Sequence, residues 1–194
     1  MQFVGFPKMA RLSREVIITE KIDGTNAQVF ISDLSEWDYD PEQLIFKSNN
    51  IGLFAGSRTR WVTPEDDNYG FAKWCQTNAE DLMNLGIGQH FGEWWGQGIQ
   101  RKYGLLDKRF SLFNVSRWGE DRPACCGVVP TLYKGIFTTE MVDECVNDLR
   151  SKGSVAAPGF MKPEGVIVYH TAAGIGFKKT LDKDESPKSL VGLS

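Results

Sequence analysis

Lys21-Ile22-Asp23-Gly24 lies between two stretches of the chain that have β-strand character. Residues 16–19 are β-branched and mostly apolar, and residues 25–31 alternate in the way of a half-buried strand. The tetrapeptide therefore predicts a tight link between two strands, with Lys21 held at a rigid edge of a sheet. A lysine held there can act as a nucleophile. The alternative is that the Asp-Gly pair simply forms a hairpin turn and that the lysine is solvated.

The order of the segments that follow favours the nucleophile over the simple turn. Each segment contains charged or aromatic residues, and along the chain they occupy residues 57–60, 91–96, 111–115, 164–168 and 176–179. Any one of them is a weak signal. Together and in this order they are hard to explain as coincidence.

The series resembles the motifs of the covalent nucleotidyltransferase superfamily, which contains ATP-dependent RNA ligases, DNA ligases and mRNA capping enzymes. The likeness is greatest to the RNA ligase 2 family, through Glu20-Lys21, Gly24-Thr25-Asn26, and the Phe-Gly-Glu and Glu-Gly-Val segments at residues 91–93 and 164–166. It extends over about residues 18–180, which is nearly the whole chain.

The sequence patterns predict an α+β fold, because short strands are interrupted by two helices. The strands are expected near residues 16–20, 26–33, 44–49, 88–95, 110–116, 127–133, 164–170 and 174–179, and the helices near residues 69–85 and 139–152. Gly153 is expected to cap the second helix. The resemblance implies the nucleotidyltransferase fold, in which antiparallel sheets are flanked by helices and the nucleotide lies in a cleft between sheets.

Length and composition are consistent with a single domain over residues 1–194, without an appended OB or other C-terminal domain. No continuous apolar stretch approaches the ~20 residues of a spanning helix, and the first residues lack the layout of a signal peptide. We therefore expect a cytoplasmic protein with no membrane partner. The four cysteines have no Cys-x-x-Cys spacing, which argues against structural zinc.

The net charge of −3 does not itself indicate a nucleic-acid-binding protein, because phosphate contacts usually come from a basic surface. The cations nevertheless concentrate near the motif segments, whereas acids concentrate around residues 36–42, 65–67 and 182–185. A local basic groove is therefore compatible with the sequence, although most of these residues individually suit ordinary solvated positions.

The resemblance makes Lys21 the candidate nucleophile, with Lys178 and Lys179 as further catalytic residues. A lysine that attacks the α-phosphate of ATP must first lose its proton, and an unperturbed lysine has a pKa of about 10.4. Positive charge from neighbouring lysines, from Arg58 or from a bound metal would favour the neutral amine. The attack would release pyrophosphate and leave AMP on Lys21.

The resemblance also implies a set of nucleotide-binding residues, namely Glu20, Asn26, Arg58, Glu93 and Phe113. Glu20 would recognise adenine, partly through its backbone, and Arg58 would contact phosphate and ribose. Glu93 would bind the ribose and Phe113 would stack on adenine. From the residues alone, Glu93 also suits a solvated strand position and Phe113 a core position, and Asp23 is expected to be structural in its turn.

Glu164 is the candidate metal ligand, because a carboxylate where a strand begins can hold Mg²⁺ or Mn²⁺ through direct or water-mediated oxygens. The alternative is a carboxylate that merely caps the strand. The expected cofactors are therefore ATP and Mg²⁺ or Mn²⁺.

The last motif departs from the family pattern, which usually has two lysines separated by one residue. Lys178 and Lys179 are adjacent, and adjacent residues on a strand face opposite ways, so one of the two is expected to face the phosphates. We favour Lys178 for this contact, with Lys183 or Lys188 as substitutes from the tail.

The expected function is therefore an ATP-dependent RNA ligase that joins RNA 3'-OH and 5'-phosphate ends through lysyl-AMP, as in RNA repair. Self-adenylylation is the safest of its expected activities. The alternatives are a GTP-dependent capping-type guanylyltransferase, a DNA ligase-like adenylyltransferase, and a catalytically silent module that binds nucleotide or RNA. The sequence leaves open the kind of RNA and the oligomeric state.

Overall fold

A computed structural model describes residues 2–36 and 38–182 of the chain. The described residues form eleven strands: β1 (Glu15–Lys21), β2 (Thr25–Asp33), β3 (Leu44–Ser48), β4 (Ile51–Ser57), β5 (Trp61–Val62), β6 (Gly88–Gly96), β7 (Lys108–Leu112), β8 (Cys126–Val128), β9 (Thr131–Ile136), β10 (Gly165–His170) and β11 (Ile175–Thr180). They also form three α-helices: α1 (Phe71–Thr77), α2 (Ala79–Leu82) and α3 (Thr139–Lys152). Short 3-10 turns cover Pro41–Gln43 and Met83–Leu85. The predicted α+β class is confirmed.

The chain divides into two compact units, each with its own sheet. Unit 1 contains Met1–Lys21 and Pro130–Ser194, and unit 2 contains Ile22–Val129. Whether residues 1–194 act as a single domain stays a prediction.

The sheet of unit 1 is antiparallel, with strand order β11-β10-β1-β9. One face packs against α3, whose apolar residues recur at helical spacing, and the buried core contains Val16, Ile18, Val142, Cys145, Val146, Leu149, Val166 and Val168. Thr138 caps the helix by accepting a hydrogen bond from the Met141 amide at 3.2 Å. The helix ends at Gly153, whose φ of 85° is in the left-handed region, as the sequence predicts.

The sheet of unit 2 has the order β3-β4-β2-β6-β7-β8, with β5 paired to β4. Its β7–β8 pair is parallel and its other pairs are antiparallel. The core face is rich in aromatic side chains and packs against α1, with ring contacts among Phe71, Trp74, Trp94 and Phe110. Because alternate residues of β2, β6 and β7 point into this core, the residues between them lie on the opposite face.

Three sequence predictions need correction. The strand expected at residues 127–133 is broken into β8 and β9, which belong to different sheets; Pro130, which cannot donate a ladder hydrogen bond, lies in the break. The helix expected at residues 69–85 is interrupted at Asn78. The glycine-containing strand β4 was not predicted, because glycine weakens the strand signal.

The link at residues 22–24 joins strands of two different sheets, so it is not a hairpin turn. β1 has neighbours on both sides, and Lys21 lies at its end rather than at a lateral edge of the sheet. A Cβ atom at Gly24 would clash with the carbonyl oxygen of Trp94, so this position requires glycine.

Candidate active site

Lys21 and Glu164 form an ion pair at one end of the unit 1 sheet. The last residue of β1, Lys21, pairs with Gly165, the first residue of β10, and this register brings Glu164 beside it. The Lys21 Nζ donates to the Glu164 Oε2 at 2.5 Å, and the two side chains are 23% and 11% exposed. A nucleophile candidate and a metal-ligand candidate, 143 residues apart in sequence, are therefore in direct contact.

Gly165 permits this close approach of strands. Its φ is +156°, and a Cβ atom there would clash with the carbonyl oxygen of Lys179 on β11. Because only glycine fits against the β11 backbone, the Glu-Gly segment fixes the position of Glu164 opposite Lys21.

The two lysines of β11 lie on opposite faces of the unit 1 sheet. Lys178 pairs with Ile167, which pairs with Thr19, so Lys178 shares the face of Lys21. It is exposed, and in the described part of the chain its side chain makes no hydrogen bond or ion pair. Lys179 shares the other face with α3, where its Nζ bonds the Asp143 carboxylate at 2.6 Å. Lys183 and Lys188 lie outside the described residues.

Glu20 is buried on the α3 face, and its carboxylate is occupied by the loop that follows this helix. The carboxylate accepts hydrogen bonds from the Ser154 hydroxyl at 2.6 Å and from the amides of Val155 and Ala156 at 2.8 and 2.9 Å. With a relative exposure of 1%, the side chain anchors this loop. The expected contact of Glu20 with adenine stays a prediction. Because the carboxylate is occupied by the loop, such a contact would use the backbone of Glu20.

Two of the predicted nucleotide-binding residues, Asn26 and Glu93, lie in one row on the face of the unit 2 sheet opposite its aromatic core, and Glu93 is buried there. Asn26 and Glu93 are directly opposed on β2 and β6, and the Asn26 amide donates to the Glu93 carboxylate at 3.0 Å. The Gly24 amide donates to the other carboxylate oxygen at 2.9 Å. Arg58 is exposed and follows β4, whose last residue, Ser57, pairs with Ala27 next to Asn26.

Phe113 lies on this same face, one row further along. Ser111 opposes Glu93, and the Phe113 amide donates to the Phe91 carbonyl at 3.0 Å, which continues the ladder by two residues. Its side chain is 40% exposed, and that of Phe91 is 51% exposed. The structure therefore places Phe113 outside the aromatic core, on the face that carries Glu93.

Sequence reasoning missed the residues that hold the link after Lys21. Arg101 donates to the Asp23 carboxylate at 2.9 Å, and the Tyr103 hydroxyl accepts a hydrogen bond from the Asp23 amide at 2.8 Å. Both partners are about 80 residues downstream, and no local pattern links them to the turn. These contacts hold Asp23 in place, and its purely structural role stays a prediction.

The metal-ligand candidate Glu164 is a lone carboxylate. The described residues contain no group of three or more His, Cys, Asp or Glu side chains that could hold a metal ion. One carboxylate fits a cation of the Mg²⁺ type, which keeps several waters and binds phosphate oxygens as well as protein. In the same part of the chain, no helix combines the length and apolarity needed to cross a membrane.

Comparison with known proteins identifies the family. A model of the RNA ligase family matches residues 14–181. The chain belongs to the RNA ligase family. This match includes every candidate site residue from Glu20 to Lys179, and it confirms the resemblance drawn from the motifs. No curated protein sequence matches the chain.

Solved structures of a Naegleria gruberi RNA ligase share the fold. A point mutant with ATP and Mn is 18% identical with a TM-score of 0.57, and the match covers 90% of this chain and 52% of that one. A second mutant, with AMP and Mn, is 18% identical with a TM-score of 0.58, covering 87% and 50%. The form with PPi is 18% identical with a TM-score of 0.56, covering 87% and 50%. The chain therefore spans about half the length of these ligases.

Proposed function

We propose that this member of the RNA ligase family is an ATP-dependent RNA ligase that joins 3'-OH and 5'-phosphate ends through lysyl-AMP. The observation that carries the proposal is the contact between Lys21 and Glu164, with Lys178 on the same face of the sheet. The Naegleria ligase structures with ATP, AMP, PPi and Mn provide support, because these ligands are the substrate, the transferred group, the leaving group and a metal of this reaction.

In the first step, the neutral amine of Lys21 attacks the α-phosphorus of ATP. A nitrogen–phosphorus bond forms, the bond to the bridging oxygen breaks, and pyrophosphate leaves with the electron pair. The amine loses a proton in the process. The Lys21 amine donates a hydrogen bond to the Glu164 carboxylate, so this contact must open before the amine can attack.

Glu164 is the residue that would hold a divalent cation. When bound, the cation would neutralise charge on the phosphates as pyrophosphate departs. Lys178 supplies a second positive charge toward the phosphates, because it shares the face of Lys21 and has no protein partner in the described residues. We assign no phosphate contact to Lys179, which is paired with Asp143 on the other face.

Unit 2 would supply the groups that recognise adenosine. Arg58 would contact phosphate and ribose, Glu93 would accept from the ribose hydroxyls, and Phe113 would stack on the base. Asn26 and the Gly24 amide hold the Glu93 carboxylate at fixed positions, which reduces the cost of ordering it when the ligand binds.

The later steps transfer AMP from Lys21 to the RNA 5'-phosphate and then join the strands. The 5'-phosphate oxygen attacks the lysyl-AMP phosphorus and releases the amine of Lys21. The RNA 3'-OH then attacks the activated 5'-phosphate, so that a phosphodiester forms and AMP leaves. These steps concern a reaction of the whole ligase, and this chain spans about half the length of the solved ligases.

Intact mass spectrometry tests the first step. The protein is first treated with pyrophosphate and Mg²⁺, which removes any AMP already attached to the protein by converting it to ATP. After removal of the pyrophosphate, the protein is incubated with ATP or GTP. We expect a single added AMP on the wild type and none on Lys21→Ala, with Lys73→Ala as an exposed-lysine control that still reacts. An added GMP would indicate capping chemistry, and no adduct with either nucleotide would contradict the proposal.

A further inference from the structure

Residues 2–14, which we call the N-terminal arm, are exposed along their whole length and precede β1. They contain no regular helix or strand. Their large apolar side chains are among the most exposed of the described residues: Phe3 is 92% exposed, Phe6 85% and Met9 79%. Exposed apolar side chains that follow one another in this way are typical of a surface that binds a partner.

The arm has a three-residue period in both polarity and charge. Apolar residues occupy positions 3, 6, 9 and 12, with Val4 as a further exposed apolar residue outside this period. Cations occupy positions 8, 11 and 14, and no acid occurs before Glu15. A period of three matches the polyproline II helix, in which every third residue lies on the same side. An extended arm would therefore present an apolar ridge beside a basic ridge.

The base of the arm is fixed to the unit 1 sheet. The Leu12 carbonyl accepts a hydrogen bond from the His170 Nε2 at 2.9 Å, and the Arg14 carbonyl accepts one from the Phe137 amide at 2.9 Å. The Leu12 side chain lines an open apolar groove of about 360 Å³ together with Phe137 and Phe177. The arm is therefore anchored at one end, while residues 2–11 lie exposed to solvent.

A single-stranded nucleic acid fits both ridges. Phosphates pair with Lys and Arg side chains, and unpaired bases stack on aromatic side chains regardless of sequence. An apolar protein surface would cover the phenylalanines but would leave the cations of the second ridge without partners. We propose that the N-terminal arm binds an unpaired segment of the RNA substrate, with Lys8, Arg11 and Arg14 on phosphates and Phe3 and Phe6 on bases.

This inference rests on the proposed function for the identity of the ligand, and the geometry indicates which part of the RNA is bound. β1 runs from Glu15 to Lys21, so six residue steps of about 3.3 Å place the base of the arm about 20 Å from the nucleophile. At about 3.4 Å per nucleotide, this corresponds to about six nucleotides of stacked strand. The arm would therefore contact RNA away from the reacting end.

The test compares RNA binding with self-adenylylation in the same preparations. The charge variant is Lys8→Gln/Arg11→Gln/Arg14→Gln, and its matched control is Lys47→Gln/Lys73→Gln/Lys152→Gln at exposed positions elsewhere. Fluorescence anisotropy with a 5'-phosphorylated single-stranded RNA of about twelve nucleotides gives the affinity at several salt concentrations, without ATP. Mass spectrometry with ATP and Mg²⁺ gives the extent of adenylylation.

We expect the arm variant to bind RNA more weakly than the control variant, while adenylylation stays within about twofold of the wild type. Each lost phosphate contact on a single strand lowers the slope of log affinity against log salt concentration by about 0.7, so three lost contacts lower it by about 2. The ratio of wild-type to variant affinity should therefore fall about 20-fold between about 50 and 200 mM salt. Phe3→Leu/Phe6→Leu retains the apolar character and removes stacking, and we expect about tenfold weaker binding.

Two outcomes would overturn the inference. One is equal RNA affinity and equal salt slope in the wild type, the arm variant and the control. The other is self-association of the wild type that the arm substitutions abolish without any change in RNA binding, which would make a second copy of the chain the partner. Loss of adenylylation in the wild type would instead contradict the proposed function, while the binding comparison would still decide the role of the arm.

Discussion

The two units have sheets of similar design, and the proposed function assigns a different task to each. In each unit one face of the sheet packs against helix. Most of the candidate site residues lie on the other face, whereas Glu20 and Lys179 lie on the α3 face of unit 1. Unit 1 presents Lys21, Glu164 and Lys178, to which the proposed function assigns bond formation and charge neutralisation. Unit 2 presents Arg58, Asn26, Glu93 and Phe113, which suit recognition of a nucleoside. Variants in unit 1 should therefore lower the rate of chemistry, and variants in unit 2 should weaken ATP binding.

The cores of the units differ in a way that suits these roles. Unit 1 packs small aliphatic side chains of β1 and β10 against α3. Unit 2 holds β6 and β7 through an aromatic cluster, in which the Phe71 and Phe110 ring centroids are 5.2 Å apart. Because Glu93 and Phe113 lie on β6 and directly after β7, this cluster provides a rigid base for the binding face.

The largest expected effect is at Lys21. Lys21→Ala should reduce self-adenylylation below detection, because it removes the nucleophile. Lys21→Arg is the matched variant: it keeps a positive charge beside Glu164, and arginine is not deprotonated in proteins, so it should be equally inactive. The measurement is the intact mass after incubation with ATP and Mg²⁺. An AMP adduct on either variant would show that the reacting residue lies elsewhere.

The next effect distinguishes the two faces of the unit 1 sheet. Lys178→Met should slow self-adenylylation about 100-fold, because removal of a preorganised charge from a transition state commonly costs this much. Lys179→Met should slow it less than about threefold, because Lys179 forms an exposed ion pair with Asp143. Single-turnover rates with saturating ATP measure both. Equal losses in the two variants would contradict the assignment of the phosphate contact to Lys178 alone.

The two carboxylates of unit 1 should separate stability from activity. Glu20→Gln removes the charge that accepts three hydrogen bonds, and we expect a loss of about 2–3 kcal/mol in the free energy of unfolding. At a chain length of 194 residues, this lowers the melting temperature by about 5 °C or more. Glu164→Gln is the comparison, and it should lower activity with a smaller thermal shift, because its partner Lys21 remains partly solvated. Thermal unfolding that is equal in both variants would contradict this separation.

The sequence predicts local features of this molecule better than its long-range contacts. The bounds of α3 follow from the helical spacing of Val142, Cys145, Val146 and Leu149 and from the glycine after it. Alternation along a strand predicts that Lys178 and Lys179 separate, but the face of each depends on strand register, which only the pairing of β10 with β11 reveals. The loop partners of Glu20 lie more than 130 residues away and have no signal in the sequence.

β4 illustrates why the strand pattern was incomplete. Gly52 and Gly56 interrupt its apolar alternation, and both leave room for side chains of neighbouring segments. A Cβ atom at Gly52 would clash with the Leu34 side chain, and one at Gly56 would lie 2.7 Å from the Gln28 side chain. Residues that weaken the strand pattern in sequence are therefore the ones that allow close packing around this strand, which pairs with β2 as far as Ala27 and Ser57.

The smallest expected effect is at Phe113, and it tests the assignment of binding to unit 2. Phe113→Ala should raise the KM for ATP about tenfold, because stacking of one base on an aromatic ring is commonly worth about 1–3 kcal/mol. The maximal rate should change little, since Phe113 touches no reacting group. Phe113→Leu retains bulk without the aromatic face and should give most of the same increase in KM. If both variants instead lose stability by several kcal/mol with an unchanged KM, Phe113 is part of the packing, and the binding face of unit 2 must be formed by other residues.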